Sequence, residues 1–177
     1  MAAFLREDYH CYPWFTEVHD GFEITIILKG ERHFQWQDHV RVCRRGDVAL
    51  CPSWEPHGWR SAVPGTTFVS FHFLPELLGN ELLAGVSWLR LFSCNPRDRP
   101  RTPAAAKAHL LAIAKELTRH APDTAEKFRR GPDPVTSGPA SSVVAAAQRS
   151  MYLGDPGLPV TWKDEVRLYL LLLLLKL

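Results

Sequence analysis

The sequence predicts a mainly β fold, a small barrel or sandwich, followed by helices toward the carboxyl end. Three observations carry this expectation. From Trp14 to Phe73, short runs rich in β-branched and aromatic residues alternate with turn signals. After Pro75 the composition changes, and apolar residues recur at helical spacing. At 177 residues the chain can bury one good core with a helical extension.

Each element follows in order. "FEITIIL", from Phe22, reads as a strand ended by Gly30, and "RHFQWQ" alternates polar and aromatic residues at period two. "QDH" turns that strand into "VRVC", "RRGD" makes the next turn, and the short run "VALC" follows. "TTFVSFHF" is the last strong strand. In "TPAAAKAHLLAIAKELTRH", Thr102 is expected as N-cap and Pro103 at the first helical position. Leu110, Ala114 and Leu117 then share a face, so a helix is expected over about 103–120. Residues 121–160 hold six prolines and four glycines and read as a long connection, with a short helix near "SSVVAAAQRS". "TWKDEVRLYLLLLLLKL" opens on a capping-box pattern, Thr161 to Asp164, and ends apolar nearly all round, so it must be buried against something. The expected division is a barrel over 1–78 and a helical extension over 79–177, its terminal helix spanning 161–177.

Composition narrows the function classes. The net charge of +2 is too small for nucleic-acid binding by bulk electrostatics, and "PRDRPR" and "FRRGPD" read as solvated loops. The start reaches charged residues too soon for a secretory leader. The longest apolar run, Leu168 to Leu175, is eight residues, against the ~20 that a spanning helix needs. Cys11, Cys43, Cys51 and Cys94 form no CxxC pair and are expected as reduced, mostly buried thiols of a cytoplasmic protein, with a Cys43–Cys51 disulfide as the alternative. There is no Gly-rich phosphate loop and no nucleophile elbow. His33, His39 and His109 fit no site pattern and are expected on the surface.

Side-chain parity points to a site. If residues 17–28 run as one strand, Glu17, His19, Glu23, Thr25 and Ile27 share a face. "GDVALCPSWEPHGW" adds His57, with Trp59 and Ser61 at the same parity, and Ser70 and His72 share a face of the last strand. An inward polar pair suits a barrel that holds a polar ligand. The residues expected to contact such an effector are Trp14, Thr25, Trp59, Ser61, Ser70 and His72, with Trp36 and Trp54 as further stacking candidates for a sugar-like or flat ligand.

Two spacings carry a resemblance. Glu17-Val-His19, three residues, Glu23, six residues and Gly30 resemble the first cupin motif, with Glu17 where that motif has a histidine. Gly46, Pro52 and His57 resemble the second motif, with Trp54 in place of its glycine and Ser61 in place of its asparagine. "HDGFEITIILKG", "RRGDVALCPSWEPHGW" and "FVSFHFLPE" further resemble the amino-terminal sensing domain of AraC-type transcription regulators. That resemblance implies a cupin barrel with two helices, a small polar effector inside, and a homodimer formed through the terminal helix. DNA would be reached only through a separate domain that this sequence lacks, so the chain is expected to be a piece of a longer protein.

His19, Glu23 and His57, with Glu17 as a possible fourth, form a set that suits zinc, nickel, iron or manganese. The alternative is a network of buried polar groups that satisfy one another. The alternative function is a metal-dependent cupin enzyme of dioxygenase or sugar-isomerase type. In the terminal helix, Leu168, Leu171, Leu172 and Leu175 are expected to pack inward, leaving Leu170, Leu173 and Leu174 for a partner.

Overall fold

The structure, a computed structural model, describes residues 2–8, 14–79, 82–83, 86–120 and 160–177. Its strands are β1 (Ala2–Asp8), β2 (Phe15–Glu17), β3 (Phe22–Lys29), β4 (Glu31–Trp36), β5 (His39–Arg44), β6 (Val48–Cys51), β7 (His57–Ser61) and β8 (Thr66–Phe73), followed by the small pair β9 (Leu82–Leu83) and β10 (Val86–Ser87). The first eight form two antiparallel sheets, ordered β1-β8-β3-β6 and β2-β7-β4-β5. Among the described residues three α-helices follow: α1 (Arg90–Ser93), α2 (Lys107–His120) and α3 (Val160–Leu175).

The two sheets close over a shared interior. Ile27, Ala49, Cys51 and Phe68 from the first sheet meet Phe34, Trp36, Cys43 and Trp59 from the second. The other face of the first sheet is equally apolar. Phe22, Ile24, Ile26, Val48, Leu50, Val69, Phe71 and Phe73 pack there against Trp88, Phe92, Leu110, Leu117 and α3. Strand β3 is therefore buried on both faces, which is why its apolar run is nearly continuous rather than alternating. Gly30 links β3 to β4 at φ +79°, and a Cβ there would come within 2.9 Å of the Thr66 backbone, so the turn needs glycine.

Several expectations change. Strand β1 was not legible, yet it pairs with β8 along its whole length. Residues 17–28 are not one strand: β2 stops at Glu17 and β3 begins at Phe22. Thr102 does not cap a helix, because its hydroxyl accepts the Val48 N–H at 2.9 Å, and α2 begins at Lys107 after a 3-10 turn over Ala104–Ala106. Nor is "PRDRPR" a loose loop. Arg41 donates to the carbonyls of Pro96, Arg99 and Pro100, and buried Arg99 donates to the Leu50 carbonyl and to Glu55. These bonds strap residues 96–100 against the barrel.

The terminal helix is turned the other way round. Leu170, Leu173 and Leu174 are the buried leucines, packed with Leu110 and Leu117, while Leu168, Leu172 and Leu175 are exposed. The outer face of the first sheet offered an apolar seat for that stripe, one the sequence reading assigned to a partner. Cys43, Cys51 and Cys94 are free thiols, so no Cys43–Cys51 disulfide forms. His109 is exposed, but His33 and His39 are only partly so, and His33 joins Glu31 and Arg60 on the outer face of the second sheet. The 121–160 connection and its short helix lie outside the described residues up to 159, as do the side chains of the Thr161–Asp164 capping pattern.

Candidate functional site

Cross-strand register stacks the interior into rows. In the first sheet Cys51, Glu23 and His72 lie side by side on β6, β3 and β8, and two residues along come Ala49, Thr25 and Ser70. In the second sheet Trp36, His57 and Glu17 make one row, Phe34, Trp59 and Phe15 the next, and Cys43, Arg32 and Ser61 a third. The first rows of both sheets hold Glu23, His72, His57 and Glu17, and His19 adds to them from the turn between β2 and β3.

Glu23 is the hub. His19 Nε2 and His57 Nε2 each lie 3.3 Å from its Oε2, and His72 Nε2 lies 3.9 Å away. The Nδ1–H of His19 donates to the Gly21 carbonyl at 2.7 Å, and that of His57 to the Glu55 carbonyl at 2.9 Å. Both rings are thus held with Nε2 turned inward, the arrangement that backbone carbonyls impose on metal-binding histidines. Two neutral rings so fixed would aim lone pairs at a carboxylate, so a proton or a cation must sit between them. Edges of 3.3 Å also match the donor spacing of a tetrahedral ion with bonds of roughly 2.0–2.1 Å. The residues present fit a divalent cation.

The electrostatics divide the rings: with no ion, His57 favours a proton in the bridge and His72 a neutral donor. Burial works against ionising Glu23, but His72, His19 and His57 outweigh it and hold its pKa well below the ordinary carboxylate range. Burial would lower His57 too, yet the Cys51 sulfur, Glu17 and Glu23 raise it. Burial lowers His72, which keeps that ring neutral and able to ligate.

A hydrogen-bonded line leads away from the hub. The Thr25 hydroxyl donates to Glu23, so at its 2.6 Å contact with Ser70 it must accept the Ser70 proton. Ser70 is left with lone pairs only, and faces the interior as an acceptor. Beyond it, the Arg32 guanidinium lies 3.8 Å from the Trp59 ring and 3.7 Å from the Phe68 ring.

Of the expected site residues, Glu17, His19, Glu23 and His57 come together, though Glu17 is partly diverted by accepting the Trp59 indole N–H at 2.9 Å. Thr25, Ser70, Trp59 and Ser61 face the interior, and His72 joins the histidine cluster rather than a separate effector group. Trp14 does not join them. It is 40% exposed, with outward-facing Arg60 over its ring at 5.1 Å. Trp36 is sealed in the core and Trp54 is 70% exposed. Two interior residues went unread: Arg32, which shares the inward parity of Phe34 and Trp36, and Cys51, which shares that of Ala49.

Two four-stranded antiparallel sheets closed over a polar interior, with helices behind one of them, make this a cupin barrel. The profile of the AraC-like ligand-binding domain matches residues 4–127, and the chain belongs to that family. It is thus a ligand-sensing regulatory domain by family. Among solved structures, the AraC-like transcriptional activator CuxR is 10% identical over 91% of this chain and 47% of its own, with a TM-score of 0.44. A cupin-2 domain containing protein from Shewanella frigidimarina is 16% identical over 40% of this chain and 68% of its own, with a TM-score of 0.34. A protein of unknown function from Rhizobium leguminosarum is 18% identical over 35% of this chain and 60% of its own, with a TM-score of 0.33. No curated protein sequence matches the chain. Among the described residues no helix is long and apolar enough to cross a membrane.

Proposed function

We propose that this is the effector-sensing and dimerisation domain of an AraC-type transcription regulator, and that a small polar molecule binds inside the barrel. The observation that carries it is the Ser70–Thr25–Glu23 line, a polar seam that runs from the histidine cluster into the barrel past aromatic and aliphatic side chains. Because that line ends in an acceptor, it favours an effector that offers hydroxyl or N–H donors, such as a polyol or sugar-like compound.

His19, Glu23, His57 and His72 would hold a divalent ion, with His72 supplying the imidazole that Glu17 displaces from the first motif. When bound, the ion would offer a Lewis-acidic position for an effector oxygen. The chain's own residues do the rest. Gly21 and Glu55 carbonyls orient the two imidazoles, Thr25 and Ser70 set hydrogen-bond polarity, and Trp59 and Phe68 exclude water.

On α3, Leu168, Leu172 and Leu175 recur at helical spacing and stay exposed, which supports a contact with a second copy of the chain. DNA contact and the rest of the regulator would belong to sequence beyond this domain.

A thermal-shift screen of polyols and sugars tests the effector reading. A bound compound at about 100 times its Kd should stabilise the fold by about 2.7 kcal/mol. Ser70→Ala should abolish that shift while costing the ligand-free fold about 1 kcal/mol, the loss of its buried bond to Thr25. A shift that survives in Ser70→Ala places the effector elsewhere.

A further inference from the structure

We propose that Cys51 is a thiolate ligand in this site, so that the ion it takes is a thiophilic, zinc-class cation rather than manganese, magnesium or calcium. The proposal rests on the metal reading above and concerns a residue that neither motif places at the centre.

Cys51 pairs directly with Glu23 across β6 and β3, and its side chain points inward. Its Sγ, a Glu23 carboxylate oxygen and a His57 ring nitrogen all lie within 4.8 Å of one another. His19 and His72 close with Glu23 as a separate group, so Cys51 is an alternative to those two rings rather than a fifth ligand. The residue is 0% exposed, so the sulfur meets no bulk water. The Trp36 indole N–H donates to Sγ at 3.4 Å, which orients the sulfur and favours negative charge on it. Glu17, by contrast, falls in neither group of donors that close around Glu23.

Charge balance gives a second reason. With Glu23 as the one anionic ligand, the ion keeps a positive charge that Glu17, 3.5 Å from His57, offsets only from outside the donor group, and charge in a buried interior is costly. With Cys51 as thiolate, the two anionic ligands cancel the ion's charge. The thiol proton leaves to solvent as the metal–sulfur bond forms. Sulfur beside imidazole and carboxylate selects zinc-class ions over oxygen-seeking ones. Cys43 makes a useful contrast. It is also inward and buried. Burial raises both thiols, that of Cys43 to about 12, so position is what separates them: Cys43 sits in the row of Arg32 and Ser61, away from Glu23 and His57.

Titration of the chelator-treated chain with Co²⁺ separates the outcomes. The expected result is visible d–d absorption together with a near-ultraviolet sulfur-to-cobalt charge-transfer band. Cys51→Ser should lose the charge-transfer band, keep the d–d bands, and bind at least tenfold more weakly, whereas Cys43→Ser should behave as the unaltered chain. Mn²⁺ should fail to displace the Co²⁺. Visible bands without charge transfer in the unaltered chain, a reading that needs no variant to fold, would overturn the thiolate and leave the ion in place. Absence of both would remove the metal reading itself, and this proposal with it.

Discussion

At Glu23 three imidazoles converge on one carboxylate, and the balance of their protons sets how the barrel responds to acid. A carboxyl whose folded pKa is depressed adds stability above its unfolded value, near 4.5, and loses it as pH falls through the folded value. The native state should therefore weaken below about pH 4.5. In Glu23→Gln, urea midpoints followed across this range should show a shallower acid slope than the unaltered chain. An equal slope in both would mean that Glu23 is not the group responsible. At neutral pH the same variant removes the carboxylate from a buried ion cluster and should cost about 3–5 kcal/mol. Much of this cluster was legible from spacing alone, since His19, Glu23 and His57 converge as read. Cys51 and Arg32 were not, because a cysteine beside an aliphatic run and an arginine between polar residues look ordinary until the register turns both inward.

At the scale of elements, α3 shows where pattern reading reaches its limit. A helix leucine-rich on every side gives no stripe to orient it, so the buried face is chosen by the seat it meets. That seat is made by Leu110 and Leu117 of α2 and the outer residues of β3 and β8. Leu170→Ala should cost about 2–5 kcal/mol in denaturant unfolding, as for other fully buried leucines. Leu168→Ala, at an exposed position, should change stability by no more than about 0.5 kcal/mol. The reverse order would restore the orientation expected from the sequence. Strands β3, β4, β5, β6 and β8 were readable because their runs alternate or are bounded by turn residues. Strand β1 was not, since "AAFLRED" has no such boundary, and Thr102 went astray because a distant β6 amide claimed the hydroxyl that a local rule had assigned to capping.

For the whole molecule, association is the property to measure. Leu168, Leu172 and Leu175 are exposed, and burying each in a partner is worth about 1.5–3 kcal/mol before the costs of association. Sedimentation of the unaltered chain should show a dimer, and Leu168→Glu with Leu172→Glu should give a folded monomer with an unchanged circular dichroism spectrum. Glutamates at Leu170 and Leu174 would instead unfold the chain, since they would place charge in its own core. A unaltered chain that stays monomeric at high concentration would remove α3 from the dimer contact. Strand β3 ties these properties together. It is a party wall between two rooms: Glu23 and Thr25 furnish one, while Phe22, Ile24 and Ile26 furnish the other, where α3 leans. No solvent layer insulates the two sides, and close-packed interiors transmit strain rather than absorb it. Whatever moves the plaster on the inner side is felt one peptide unit away on the outer.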